Sequence, residues 1–430
     1  MKRLCASLTL LLLLTACGKP ASTSATSAAP SATTPEMAEP AATPQPTVEP
    51  VVSLHWIGRQ NEAGLYQREA FYDTESYLYG NGGVGARYVD FSRATEEVVG
   101  KPLELENANL QLFADGDSLY WVWSGMIRDT AILLRSDLDG GNRESLYDFP
   151  QGVSLGVGDE GLASDGTALY FRYCHISGDP KIPDAYELVR LDPNAETMET
   201  LTTWNEFAGY LQGVWQNKLL ITRTTLSEDC PVEPVYDRYR VSNTEELMPW
   251  LTTTLCAMDP VTGEEEVLYS CPGRWLDRRL DRDALWCVEE AHQLVCRPLG
   301  ESEDTILTQL PESLYLWDVY TEDVLLYGQE QGQEWLYLYN LADDTLARSP
   351  QRRWFGEEDR AIPVVSEAGP GRYLVIDDAN TGMQQLAGRD GTQYLIDGYT
   401  RYAIASREAL LDTNVPLTPV TRPGARPGAP

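Results

Sequence analysis

The sequence predicts an all-β fold, a β-propeller of seven blades, with six and eight as the alternatives. Three observations carry that expectation: a leucine-centred pair that recurs along the chain, short apolar runs separated by turn residues, and no long stretch of helical periodicity. A leucine followed by a bulky apolar residue stands at Leu78-Tyr79, Leu119-Tyr120, Leu169-Tyr170, Leu219-Leu220, Leu285-Trp286, Leu325-Leu326 and Leu374-Val375. The separations are 41, 50, 50, 66, 40 and 49 residues. A four-stranded blade takes about 40 to 50 residues, so each interval is one blade and the longest carries an insertion.

Between the pairs the strands follow in order. Leu119-Tyr120-Trp121-Val122-Trp123 reads as one strand, Ala131-Ile132-Leu133-Leu134 as the next, Asp137-Leu138-Asp139-Gly140-Gly141-Asn142 as a tight turn, and Ser145-Leu146-Tyr147 as a third strand. The same succession appears at 188–196, at 256–264 with Asp259-Pro260-Val261-Thr262-Gly263, and at 336–345. Radial repetition leaves only short sheet edges, which limits edge-to-edge aggregation. Closing the ring asks a terminal strand to complete a blade. Residues 51–57, ending in Leu54-His55-Trp56-Ile57, are the expected strand, joining the last blade.

Leu119-Tyr120-Trp121 followed by Arg135-Ser136-Asp137-Leu138-Asp139-Gly140-Gly141-Asn142-Arg143 resembles one repeat of the YWTD propellers of low-density lipoprotein receptors. It is also similar to the related propeller domains of unknown function on bacterial surface proteins. Here Val122 and Trp123 follow Trp121 in place of the Thr-Asp half of that signature. The resemblance implies a propeller that binds rather than catalyses.

The flanks differ from the body of the chain. Lys2 and Arg3 precede an apolar stretch from Leu8 to Leu14, too short to cross a bilayer, so residues 1–16 read as a signal peptide. Leu14-Thr15-Ala16-Cys17 resembles the lipobox of bacterial lipoproteins, which implies cleavage before Cys17 and its diacylation. Gly18, and not Asp, follows the cysteine. Residues 17–50 are the lipidated cysteine and a Pro/Ala/Ser/Thr-rich tether that cannot bury surface and should stay disordered. At roughly 3 Å per residue such a tether reaches up to about 100 Å. Residues 51–420 form the propeller and 421–430 a flexible tail. No later stretch supplies the roughly 18 consecutive apolar residues of a membrane helix. The expected location is therefore the cell membrane, lipid-anchored, with the domain on the extracytoplasmic side.

Composition narrows the partners. Hydrophobic residues make up 43% and aromatics 10%, enough for a large core. With 65 acidic against 33 basic side chains the formal charge is -32, a field that repels nucleic acid and anionic membrane surfaces.

Six cysteines remain after Cys5 leaves with the signal and Cys17 is lipidated. If Gly263-Glu264 centres a hairpin, Cys256 stands opposite Cys271; if Ala291-His292 is a two-residue turn, Cys287 stands opposite Cys296. Cys174 and Cys230 would then pair by elimination, and buried free thiols are the alternative. No C-x-x-C pair exists and the histidines are scattered, so no metal or other cofactor is expected.

Catalytic signatures are missing. There is no Walker loop, G-x-S-x-G elbow or H-E-x-x-H helix, and His55, His175 and His292 are the only histidines a nucleophilic site could recruit. The Asp137–Asn142 turn departs from a calcium loop, since Asp148 stands where a bidentate glutamate is needed. Loop length is the better clue. Residues 174–185 and 223–251 are extended connections in neighbouring repeats, and they and their edges carry Tyr173, His175, Tyr186, Tyr236, Tyr239 and Trp250 among Asp229, Glu233, Asp237 and Glu245. Aromatics beside acids suit a protein or glycan ligand, while the plainer reading has them packing the insertions onto their blades. The expected function is a non-catalytic binding or scaffolding propeller at the cell envelope. The alternative is a carbohydrate-active enzyme, a glycosidase or lyase, with two carboxylates roughly 5 to 10 Å apart in an axial pocket.

Overall fold

The computed structural model describes residues 53–422 apart from 73–82, 104–107, 126–130, 151, 156–160, 176–184, 205–206, 208, 238–239, 274–277, 290, 302, 312–313, 356–357, 381–383, 388–391 and 397–398. The signal peptide, Cys17, the tether and residues 423–430 lie outside the described residues, as do Leu78-Tyr79 and Tyr239.

The chain is a seven-bladed β-propeller. Blade 1 is built from Gln60–Asn61, Gly64–Tyr72, Gly83–Asp90 and Thr95–Leu103; blade 2 from Ala108–Asp115, Ser118–Gly125, Ala131–Asp137 and Glu144–Asp148. Blade 3 has an inner strand in two pieces, Val153–Leu155 and Leu162–Ser164, then Leu169–His175, Ala185–Asp192 and Thr197–Trp204. Blade 4 comprises Tyr210–Trp215, Lys218–Leu226, Leu251–Met258 and Glu265–Pro272, and blade 5 Arg278–Asp281, Ala284–Val288, Gln293–Pro298 and Thr305–Gln309. Blade 6 is Leu314–Val319, Asp323–Glu330, Gln333–Asn340 and Thr345–Arg348, and blade 7 Val364–Glu367, Arg372–Asn380, Tyr399–Ser406 and Thr418–Pro419. All pairings within the blades are antiparallel.

Six of the leucine-centred pairs fall on the second strand of successive blades, from Leu119 in blade 2 to Leu374 in blade 7. The equivalent strand of blade 1 carries Leu65-Tyr66. These strands are apolar without alternation because each blade is covered on both faces. Leu119, Trp121 and Trp123 pack into the core shared with blade 1, while Tyr120 and Val122, pointing the other way, pack into the core shared with blade 3. A separate apolar core joins each neighbouring pair of blades, including blades 4 and 5 around Trp215, Leu220 and Leu255.

The ring closes through blades 7 and 1. Leu65, Val89 and Phe91 share a core with Leu374, Tyr402, Ile404 and Val420. The Thr421 N–H donates to the Ala94 carbonyl and Arg422 pairs with the buried Glu96, so contacts between the C-terminal segment and blade 1 extend to Arg422. The strand expected to complete the last blade goes elsewhere. His55–Ile57 pairs with Leu162–Ser164, on the axial side of blade 3. Blade 7 supplies its own four strands from the C-terminal sequence and has no vacancy. A hairpin from blade 7, Gln384–Ala387 and Gln393–Ile396, instead pairs with Phe71 and Tyr72 of blade 1.

The expected disulfides among Cys174, Cys230, Cys256, Cys271, Cys287 and Cys296 are not formed among the described residues. Register explains the two hairpin pairs. Cys256 lies opposite Val267 and Cys271 opposite Thr253, because a bulge follows Leu255 and the turn is wider than two residues. Cys287 faces Val295 and Cys296 faces Trp286, a one-residue offset that puts the two side chains on opposite faces of the sheet. Cys174 is buried in the second strand of blade 3, whereas the Cys230 thiol, in the insertion of blade 4, donates to the Val232 carbonyl.

Candidate functional site

Antiparallel strands divide the connections between two faces. Turns from inner to second strand open on one, and connections from second to third strand, or from one blade to the next, open on the other, here termed the loop face. On the turn side the segment before Gln60–Asn61 runs against blades 1, 2, 3 and 7. His55 Nε2 lies 3.0 Å from Asp115 Oδ2 of blade 2, the Ala114 N–H donates to the Gly58 carbonyl at 2.8 Å, and the Tyr66 N–H donates to the Arg59 carbonyl at 2.9 Å. Gln60 Nε2 donates to the Glu367 carbonyl of blade 7 at 2.6 Å. Residues 55–60 thus bond to residues of several blades.

Of the expected binding residues, Tyr173, His175 and Tyr186 lie at the loop-face end of blade 3 and Tyr236 and Trp250 in the insertion of blade 4. Tyr173 is buried in the core between blades 2 and 3, edge-on to His175, whose Nε2 is 3.4 Å from Glu187 Oε1. Tyr186 and Tyr210 sandwich the Arg172 guanidinium at 4.6 and 4.4 Å. Tyr236 belongs to the small core of the blade 4 insertion, with Phe207, Val241, Leu247 and Leu251. Trp250 ends the 3-10 turn Met248–Trp250 at the surface. His292 sits in a turn with φ 56°, its carbonyl accepting from the Leu310 N–H. In the Asp137–Asn142 turn the side chains bond the turn itself: Asp139 Oδ1 accepts from the Gly141 N–H and Asp137 Oδ2 from Asn142 Nδ2. Among the described residues no grouping of His, Cys, Asp and Glu could hold a metal ion. None of their helices is long and apolar enough to cross a membrane.

The loop face instead carries a pocket between blades 6 and 7, of about 400 Å³. Its walls are Tyr315 and Trp317 from the inner strand of blade 6, Tyr327 and Glu334 behind them, Pro363, Ile376 and Ala379 from blade 7, and Phe355, Arg360 and Ala361 from a hairpin. That hairpin, Arg352–Phe355 with Glu358–Ala361, occupies the connection between the two blades. Arginines hold it in place. Arg352 donates through Nε to Asp359 Oδ2 at 2.8 Å and through Nη1 to the Glu334 carbonyl at 2.7 Å, with its guanidinium 4.5 Å from the Trp335 ring centre. Arg353 Nε donates to Asp377 Oδ1 of blade 7 at 2.9 Å. One arginine therefore ties the hairpin to blade 6 and the next to blade 7.

The aromatic floor is equally fixed. Tyr327 Oη donates to the Ile362 carbonyl at 3.0 Å and accepts from the Val364 N–H at 3.1 Å, and burial holds its phenol well above the usual range. Trp317 packs edge-on against Tyr327 with ring centres 5.3 Å apart, yet remains 42% exposed. Trp354, next to Phe355 on the hairpin, is 67% exposed. Tyr315 Oη donates to Glu334 Oε1 at 3.3 Å. Trp317, on the pocket wall, and Trp354, next to the lining residue Phe355, leave two large indoles in water here, which makes this pocket the candidate site. The sequence reading missed it. The available signal was Arg352-Arg353-Trp354-Phe355 before Gly356, an apolar pair flanked by charge at a turn between two repeats.

No protein-family model matches the chain, and no curated protein does. Among solved structures the chain is similar to the oligogalacturonate lyase of Vibrio parahaemolyticus, at 12% identity over 85% of this chain and 90% of that one, with a TM-score of 0.42. It is similar to the acylaminoacyl peptidase of Pyrococcus horikoshii, at 13% identity over 81% of this chain and 52% of that one, TM-score 0.43. TolB from Acinetobacter baumannii gives 12% identity, 78% and 80% coverage, and a TM-score of 0.29. At these identities and scores the three lend this chain neither activity nor ligand, and the fold rests on the strand pairing itself.

Proposed function

We propose that the chain is a lipid-anchored envelope protein whose propeller is a non-catalytic binding module, docking a partner protein through the pocket between blades 6 and 7. The pocket carries the reading. Eight of its ten lining residues are aromatic or aliphatic and only Glu334 and Arg360 are charged, so the hydroxyl groups of a sugar would lose water with few partners in return. An apolar side chain of a protein has no such cost, and Trp317, Trp354 and Phe355 are residue types that dominate protein interfaces.

The anchor is tested by radiolabelled palmitate: label on the intact chain, absent from Cys17→Ala with the protein released from membranes, supports it, and unchanged fractionation refutes it. The pocket is tested by pull-down from detergent extracts with the full chain, alongside a glycan array. One protein captured saturably and lost with Trp317→Ala/Phe355→Ala supports the proposal; glycan binding with no protein capture overturns it.

A further inference from the structure

A second cavity, of about 380 Å³, lies where blades 7, 1 and 2 meet, and its charge runs against that of the whole molecule. Three arginines line it, Arg59, Arg68 and Arg87, against one carboxylate, Glu69, in a chain whose net charge is -32. It exists because the inner rank of blade 1 is built from separate pieces. Gln60–Asn61 pairs with Gly64 and Leu65, the hairpin from blade 7 pairs with Phe71 and Tyr72, and the cavity borders the strand between them.

Arg87 is the fixed point. It is 3% exposed, and its Nη2 donates to Gln67 Oε1 at 3.0 Å and to Tyr402 Oη at 2.8 Å. Nη1 lies 3.3 Å from Glu69 and 3.6 Å from Glu96, and Glu96 also pairs with Arg422. Glu69 and Glu96 thus lie against Arg87, and Glu96 also against Arg422. Arg59, on the axial segment, and Arg68, on blade 1, remain; among the described residues neither pairs with a carboxylate. Gln67, Gln111 and Thr400 add polar groups around them.

We propose that this cavity binds a small polar oxyanion, a carboxylate or a phosphate, through Arg59 and Arg68. Guanidinium groups meet both anions with two parallel hydrogen bonds, and both offered here are carried on backbone that the ring holds in place. The site is separate from the aromatic pocket and does not depend on it.

Calorimetry on the full chain in detergent at low salt provides the test, with citrate, inorganic phosphate and glucose as probes. Saturable binding of citrate or phosphate but not glucose is expected, weakened at least tenfold in Arg59→Gln/Arg68→Gln and weakened by added salt. Which of the two anions binds separates a carboxylate source from a phosphate source. Both side chains are exposed, so the double variant should keep the wild-type circular dichroism spectrum and melting curve. Binding of neither anion, or equal binding by the folded double variant, would overturn the proposal.

Discussion

At the residue scale, the recurring pair of a leucine and a bulky neighbour records that both faces of a second strand are buried. Leu119 faces blade 1 and Tyr120 faces blade 3, while in blade 6 the order is reversed, with Leu325 toward blade 7 and Leu326 toward blade 5. A one-residue slip that would ruin a half-exposed strand is tolerated here, which is why the spacing was legible although irregular. Partnerships across blades were not legible. Asp323 is fully buried and accepts from Tyr373 Oη, from Arg407 Nε at 2.9 Å and from Asn340 Nδ2 at 3.2 Å, residues up to 84 positions away. Asp323→Ala strands these donors and should cost roughly 3 to 5 kcal/mol in urea unfolding. The thiols give a second expectation. Burial, and then Glu289, pushes Cys287 up to about 12, and Cys174, Cys256 and Cys271 are also buried. Iodoacetamide at pH 8 should modify these four only after unfolding, as mass mapping would show; bridged peptides from an unreduced digest would show that the thiols pair after all.

At the element scale, strands and tight turns follow from local chemistry, but a strand's destination does not. Residues 51–57 read as a strand, and His55–Ile57 is one; it pairs with blade 3, while blade 7 is completed by Thr418–Pro419 from the far end of the sequence. The Arg352–Phe355 hairpin was hidden for a related reason. Its arginines meet Asp377 and the Glu334 carbonyl only when blades 6 and 7 stand side by side. Because the hairpin lies in a connection on the loop face, replacing residues 352–361 with a Gly/Ser linker of equal length should leave most of the fold intact. Partner binding should fall at least tenfold, with the circular dichroism spectrum still that of a β-protein. A lesser loss would show that the hairpin is not a wall of the site.

At the scale of the whole molecule, stability is spread around a ring whose interblade cores are rich in buried tyrosine. Tyr170 and Tyr173 are pushed up to about 12, chiefly by burial, and Tyr327 and Tyr373 higher still. An unfolded tyrosine ionises near about 10, so the folded state favours the neutral phenol. That contribution is fully present below pH 10 and is lost as pH rises through 12. The urea midpoint should therefore vary little from pH 7 to 9 and fall steeply from 10 to 12; a midpoint unchanged at pH 12 would contradict the burial described.

Docking of a partner protein on the aromatic pocket is read out by photo-crosslinking in intact cells from a benzophenone residue replacing the exposed Trp354. One cross-linked protein, abolished when Trp317→Ala is added and unaffected when a distant exposed site such as Val267 is altered, is the predicted result. Cross-linking that is absent, or that persists undiminished in the Trp317→Ala protein, would contradict it.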